Sequence, residues 1–142
     1  MRHFSYLTIA GLVVASIALI AAVGTGQGRQ GATAENPDAK NLKNPIAATP
    51  ESIAAGQQTF RKFCGSCHGV DAKGDGPMAP KDSHPPNLTD DVWKHGSSDG
   101  EIFTVIREGA GPKSEMKAFK SKLTAQEMWN VVNYLRSLAE PH

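Results

Sequence analysis

Two cysteines and a histidine form the pattern in this sequence that is most specific for a chemistry. Cys64, Cys67 and His68 make a Cys-x-x-Cys-His motif, which is the attachment motif of a c-type haem. Residues three apart on a helical turn share a face, so the two thiols can bond two vinyl groups along one haem edge. His68 then lies beneath the ring, with one nitrogen on the iron and the other donating to a backbone carbonyl. The motif predicts one haem c, covalently held by Cys64 and Cys67 and ligated by His68.

Three other kinds of site use paired cysteines, and the sequence argues against each of them. A thioredoxin-like redox pair needs a βαβ context, and no segment here has that pattern. A structural zinc site usually takes four ligands, often from two such pairs, but this chain has only two cysteines. A disulfide across so short a loop would constrain the chain little. The haem is therefore the predicted cofactor.

Three helices are predicted to position the motif, and each is marked by a cap. The first begins at Thr49, with Pro50 at its first position. The second begins with a capping box at Ser98 and ends at Gly109; its residues would also suit a strand, but the caps favour a helix. A capping box at Thr124 opens the third, which carries an apolar stripe. No segment reads convincingly as a strand, so the predicted fold class is all-α.

The size and charge of the chain exclude several classes of protein. Its 142 residues suffice for one domain, and a net charge of +1 gives no basic field for binding nucleic acid. The 14 glycines and 9 prolines indicate much loop, above all between residues 69 and 97. A loop of that length needs something to wrap around. The sequence thus predicts a small fold of three main helices and long loops around one covalently bound haem.

The N-terminal part of the sequence is predicted to lie outside the domain. Residues 1–24 hold an apolar block intermediate in length between a signal peptide and a spanning helix, so they are either cleaved or kept as a membrane anchor. Residues 25–47 are polar without apolar periodicity, which predicts a flexible linker. The domain is then residues 48–142, in the periplasm or on the outer face of the cytoplasmic membrane.

The sequence between residues 53 and 138 resembles the single-haem class I c-type cytochromes. Gly56 and Phe60 are similar to the small residue and the aromatic residue on the N-terminal helix of that family. Tyr134 and Leu135 are similar to the C-terminal helix that those residues meet. The resemblance implies a cytochrome c-like fold in which the first and last helices are in contact.

Two further segments resemble the haem-side loop of the same family, residues 74–77 and 85–90. The resemblance implies that the carbonyl of Pro86 accepts a hydrogen bond from His68. It also implies that Leu88 packs on the haem ring.

The sixth iron ligand is predicted to be Met116, whose segment resembles the methionine loop of the family. The family commonly has proline after this methionine, but Lys117 stands here, so the backbone is less rigidly preset. Met78 follows His68 too closely to pass easily around the ring edge to its far face. The remaining candidates fit a core or a loop better: Met128, His84 and His95.

Histidine and methionine on one iron would limit its chemistry to one electron in or out. The predicted function is therefore a one-electron carrier between redox protein partners in a respiratory or dehydrogenase chain, and not an enzyme. Two alternatives stay open, namely a haem c subunit fixed in a membrane oxidoreductase and, without Met116 on iron, an open-site sensor or peroxidase. Four lysines around Met116 predict a surface for an acidic partner: Lys113, Lys117, Lys120 and Lys122.

Overall fold

All the regular secondary structure is helical in the part of the chain that a computed structural model describes, residues 37–139. The helices are α1 Pro37–Asn41, α2 Pro50–Phe63, α3 Gly65–His68, α4 Asp99–Glu108 and α5 Ala125–Leu138. No strand occurs among these residues. The all-α class predicted from the sequence is confirmed, and α2, α4 and α5 are its three predicted helices.

Each of the three long helices begins at the predicted cap. The side-chain oxygens of Thr49, Ser98 and Thr124 each accept a hydrogen bond from the backbone N–H three residues on. The side chain of that third residue accepts the N–H of the cap in return, so every start is a closed capping box. Such caps stabilise a helix by about 1 kcal/mol each. Short local signals therefore set where the elements begin.

Two of these caps make the helix starts sensitive to acid. Hydrogen bonds from the hydroxyl and backbone of Ser98 lower the pKa of Glu101, and those from the backbone and hydroxyl of Thr124 lower the pKa of Glu127. A carboxyl group whose pKa is lowered on folding stabilises the fold above its ordinary pKa of 4.5. That contribution is lost as the pH falls through the lowered value, so the first turns of α4 and α5 should fray in acid.

Helices α2 and α5 pack together at the centre of the core. Gly56 of α2 lies so close to the carbonyl of Asn130 on α5 that a Cβ at Gly56 would overlap it. The rings of Phe60 and Tyr134 lie 5.4 Å apart between centroids, tilted by 55°. The small residue and the aromatic residue of α2 thus meet the last helix, as the resemblance predicts.

Residues 37–47 differ from the flexible linker predicted for residues 25–47, because they pack on the domain. Helix α1 contacts α4. The side chain of Asn44 donates to Oδ1 of Asn133 at 2.8 Å, and Asn133 donates to Oγ of Ser52 at 3.1 Å. Ala39 is buried and Ile46 packs against the core, but these isolated apolar contacts leave no periodic pattern in the sequence, which is why composition alone predicted a linker.

The predicted signal peptide or anchor, residues 1–24, lies outside the described residues, as do residues 25–36 of the predicted linker. Within residues 37–139, no helix is both long enough and apolar enough to cross a membrane. The assignment of the N-terminal segment therefore remains a prediction from the sequence.

Candidate haem site

The long loop between α3 and α4 folds back over the helical turn that carries the cysteine motif. The N–H of Gly74 donates to the carbonyl of His68 at 2.8 Å, and the N–H of Leu88 donates to the carbonyl of Ala72 at 2.8 Å. Gly74 has a φ of +84°, and a Cβ there would overlap the carbonyl of Pro85. Glycine is required at this crossing because of both its backbone conformation and the close approach.

The folded loops enclose a cavity of about 420 Å³ against α2, α4 and α5. This volume lies in the range of about 300–1,000 Å³ that is common for small-molecule sites. All the site residues predicted from the sequence line this cavity: Cys64, Cys67, His68, Pro86, Leu88 and Met116. Folding therefore brings together three segments that are distant in the sequence.

The two cysteines lie on the cavity wall as half-buried free thiols. Burial raises the pKa of Cys64 to about 12, and the neighbouring Cys67 adds to that rise. A dithiol oxidoreductase needs a lowered pKa to keep its attacking thiolate ionised. The raised pKa therefore argues against the thioredoxin-like alternative, whereas the position of both thiols on one wall suits covalent attachment of a haem.

His68 is buried at the end of α3, with 8% of its surface exposed. Burial lowers the pKa of the imidazole, and the nearby carbonyl of Pro86 opposes this shift more weakly. The neutral form, which is the form that ligates metals, is therefore favoured. The carbonyl of Pro86 acts on the ring electrostatically, but Nδ1 makes no hydrogen bond of ordinary distance and angle with any described residue. The bond that the resemblance implies thus remains a prediction.

The candidates for the sixth ligand lie in different surroundings. Met116 is half-buried, packs against the core and lines the cavity. Met78 is 71% exposed and lies outside the cavity wall, and Met128 is buried in the core on α5. His84 and His95 also border the cavity. The geometry therefore favours Met116 over Met78 and leaves the two histidines as its competitors.

Sequence reasoning missed much of the apolar wall of this cavity. Val105 on α4 and Leu135 on α5 line it, and their helical spacing with other apolar residues is a usable signal. Trp93 and Phe119 line it from the loops, where no periodic pattern marks the buried face. A neutral imidazole, two thiols and an apolar wall around one cavity fit a haem held between protein ligands.

Residues 51–135 match the family described as Cytochrome C oxidase, cbb3-type, subunit III. The chain belongs to this family. The match contains every residue of the predicted site and confirms the predicted membership among the c-type cytochromes. The cofactor is haem c, as the cysteine motif predicts.

Proteins similar to this chain include two oxidase subunits. It is 34% identical over 99 residues to the cbb3-type cytochrome c oxidase subunit CcoP of Rubrivivax gelatinosus, covering 68% of this chain and 30% of that protein. It is 39% identical over 89 residues to the CcoP subunit of Rhodobacter capsulatus, covering 59% of this chain and 28% of that protein. The chain thus spans under a third of the length of these two relatives.

A solved structure supports the same fold. The crystal structure of cytochrome cL from Methylophaga aminisulfidivorans is 26% identical to this chain and superposes with a TM-score of 0.53. The similarity covers 80% of this chain and 72% of that one. The helices and loops around the cavity are therefore those of a c-type cytochrome.

Proposed function

We propose that this chain carries one electron at a time through a haem c with His68 and Met116 as its axial ligands. The observation that supports the proposal is the cavity that these two side chains line together with Cys64 and Cys67. The haem supplies the reversible change between ferric and ferrous iron when it is bound. Cys64 and Cys67 would hold it covalently, His68 and Met116 would ligate its iron, and apolar side chains of the cavity wall would surround it.

The cavity wall also supports a carrier over an enzyme. With His68 and Met116 as ligands, the iron would have no coordination position left for a substrate. Phe60, Ile106 and Leu135 are buried and line the cavity, and apolar surroundings favour the less charged, reduced state of a haem. We therefore propose electron transfer without substrate chemistry, and not a sensor or a peroxidase.

A subunit fixed in a membrane oxidoreductase has more support than a freely diffusing carrier. The matched family and both CcoP relatives bear the name of a subunit of cbb3-type cytochrome c oxidase. Residues 1–24, if uncleaved, would hold the domain at the outer face of the cytoplasmic membrane. We propose that the chain receives electrons from a redox protein and passes them to a second cofactor within such a complex.

The carrier proposal is tested by potentiometric titration of the purified wild-type chain while its optical spectrum is recorded. We expect one reversible one-electron transition and a charge-transfer band from methionine sulfur to ferric iron. The reduced protein should bind no carbon monoxide at neutral pH, because both axial positions are filled. Carbon monoxide binding together with a missing band would favour the open-site alternative instead.

The subunit proposal is tested by extracting membranes from the source cells with a mild detergent. We expect the chain to copurify with other haem-bearing subunits, since a fixed subunit has lasting protein contacts. A control chain with residues 1–24 replaced by a cleavable signal peptide separates protein contacts from the membrane anchor. Recovery of the native chain alone, in the soluble periplasmic fraction, would point to a diffusing carrier.

A further inference from the structure

The methionine loop, residues 110–119, fixes the backbone of Met116 from both sides. The N–H of Ala110 donates to the carbonyl of Met116 at 3.1 Å, and the N–H of Met116 donates to Oγ of Ser114 at 3.1 Å. Nζ of Lys117 donates to the carbonyl of Ser114 at 2.6 Å. These bonds supply a restraint at the place where the family commonly has proline.

The far end of the methionine loop is joined to the end of α4. The N–H of Phe119 donates to the carbonyl of Ile106 at 3.0 Å, and the N–H of Lys120 donates to the carbonyl of Arg107 at 3.3 Å. The side chain of Lys120 then crosses to α4, where its Nζ lies 2.5 Å from Oε2 of Glu108. Two backbone hydrogen bonds and one ion pair therefore join the end of the methionine loop to α4.

Glu108 stands where α4 and the methionine loop meet. It is the last residue of α4, and its side chain is only 16% exposed, whereas that of Lys120 is 56% exposed. Gly109 follows at a φ of +85°, and a Cβ there would lie 2.8 Å from the carbonyl oxygen of Met116. The ion pair therefore lies beside the backbone that carries the proposed iron ligand, although neither of its members lines the cavity.

We propose that Glu108 and Lys120 form a clasp that sets how often Met116 leaves the cavity. The proposal rests on the proposed function, in which Met116 is an axial ligand. Loss of the ion pair removes a tie between the two ends of the methionine loop, so the loop opens more often by local unfolding. Glu108 and Lys120 are thus positioning residues, and Lys120 has a task besides facing an acidic partner.

Imidazole binding to the ferric, haem-loaded protein measures this opening, because imidazole reaches the iron only after Met116 has left. Glu108→Gln and Lys120→Gln should each raise the apparent imidazole affinity about two- to fivefold at low ionic strength, as expected for a partly exposed ion pair. The double variant should exceed neither single variant, because both remove the same interaction. Added salt should raise the affinity of the wild-type protein in the same way.

Arg107→Gln provides the matched control. Nε of Arg107 lies 3.3 Å from Oε1 of Glu108, so it pairs with the same carboxylate but from within α4. This variant should keep the wild-type affinity, and the charge-reversed pair Glu108→Lys with Lys120→Glu should return toward it. Wild-type affinity in both glutamine variants would overturn the clasp. Absence of the methionine charge-transfer band from the wild-type protein would instead overturn the proposed function, in which Met116 ligates the iron.

Discussion

Replacing Met116 with alanine should open the sixth coordination position of the haem and lower its reduction potential. The thioether sulfur favours ferrous iron, and the methyl group of alanine has no donor atom to replace it. We expect a fall on the order of 0.1 V, within the range of roughly 0.8 V that axial ligands span. The measurements are potentiometry, loss of the charge-transfer band and a new ability of the reduced protein to bind carbon monoxide.

Met78→Ala is the matched control for this prediction. Met78 is the same residue type on the neighbouring loop, but it is exposed and lies outside the cavity wall. The control variant should therefore keep the band and the potential of the wild-type protein. If Met116→Ala kept the band instead, the assignment of Met116 would be wrong. The role of sixth ligand would then pass to another residue, and His84→Ala and His95→Ala would be the next variants to examine.

The start of each long helix could be predicted because capping is a local property. Thr49, Ser98 and Thr124 act on backbone groups within three residues, so the sequence alone contains the signal. The side-chain hydrogen bond from Asn44 to Asn133 could not be predicted, since it joins positions 89 residues apart. Such a contact leaves no periodic pattern in the sequence.

Residues of the site differ in how well the sequence predicts them, because only some of them belong to a local motif. Cys64, Cys67 and His68 form a contiguous motif whose chemistry follows from its spacing. Met116 could be assigned only because its segment stands where the family has its methionine loop. Its position on the cavity wall depends on the folded conformation of that loop. The ion pair of Glu108 with Lys120 was invisible, because nothing in the sequence pairs one surface lysine with one glutamate.

Replacing both Cys64 and Cys67 with alanine should leave a haem that acidified solvent extracts completely. The thioethers are the proposed covalent links, so only axial ligation and apolar contact would remain. These contacts should still hold haem in the folded protein. Without haem, the apolar side chains that line the cavity would face water, and a small domain has a total stability of only about 5–15 kcal/mol to offset that loss.

The double variant is therefore expected to fold only with haem present, and circular dichroism with and without added haem measures that dependence. Ser66→Ala is the control inside the same motif, because Ser66 is exposed and supplies neither a thiol nor a ligand. It should keep covalent haem and the wild-type helix content. Covalent haem in the double variant would mean that attachment runs through other residues, whereas a helical fold that forms without any haem would show that α2, α4 and α5 pack without it. The first result tests the covalent attachment of the haem, and the second tests whether the helices need the haem to fold. The two measurements therefore separate these two roles of the haem.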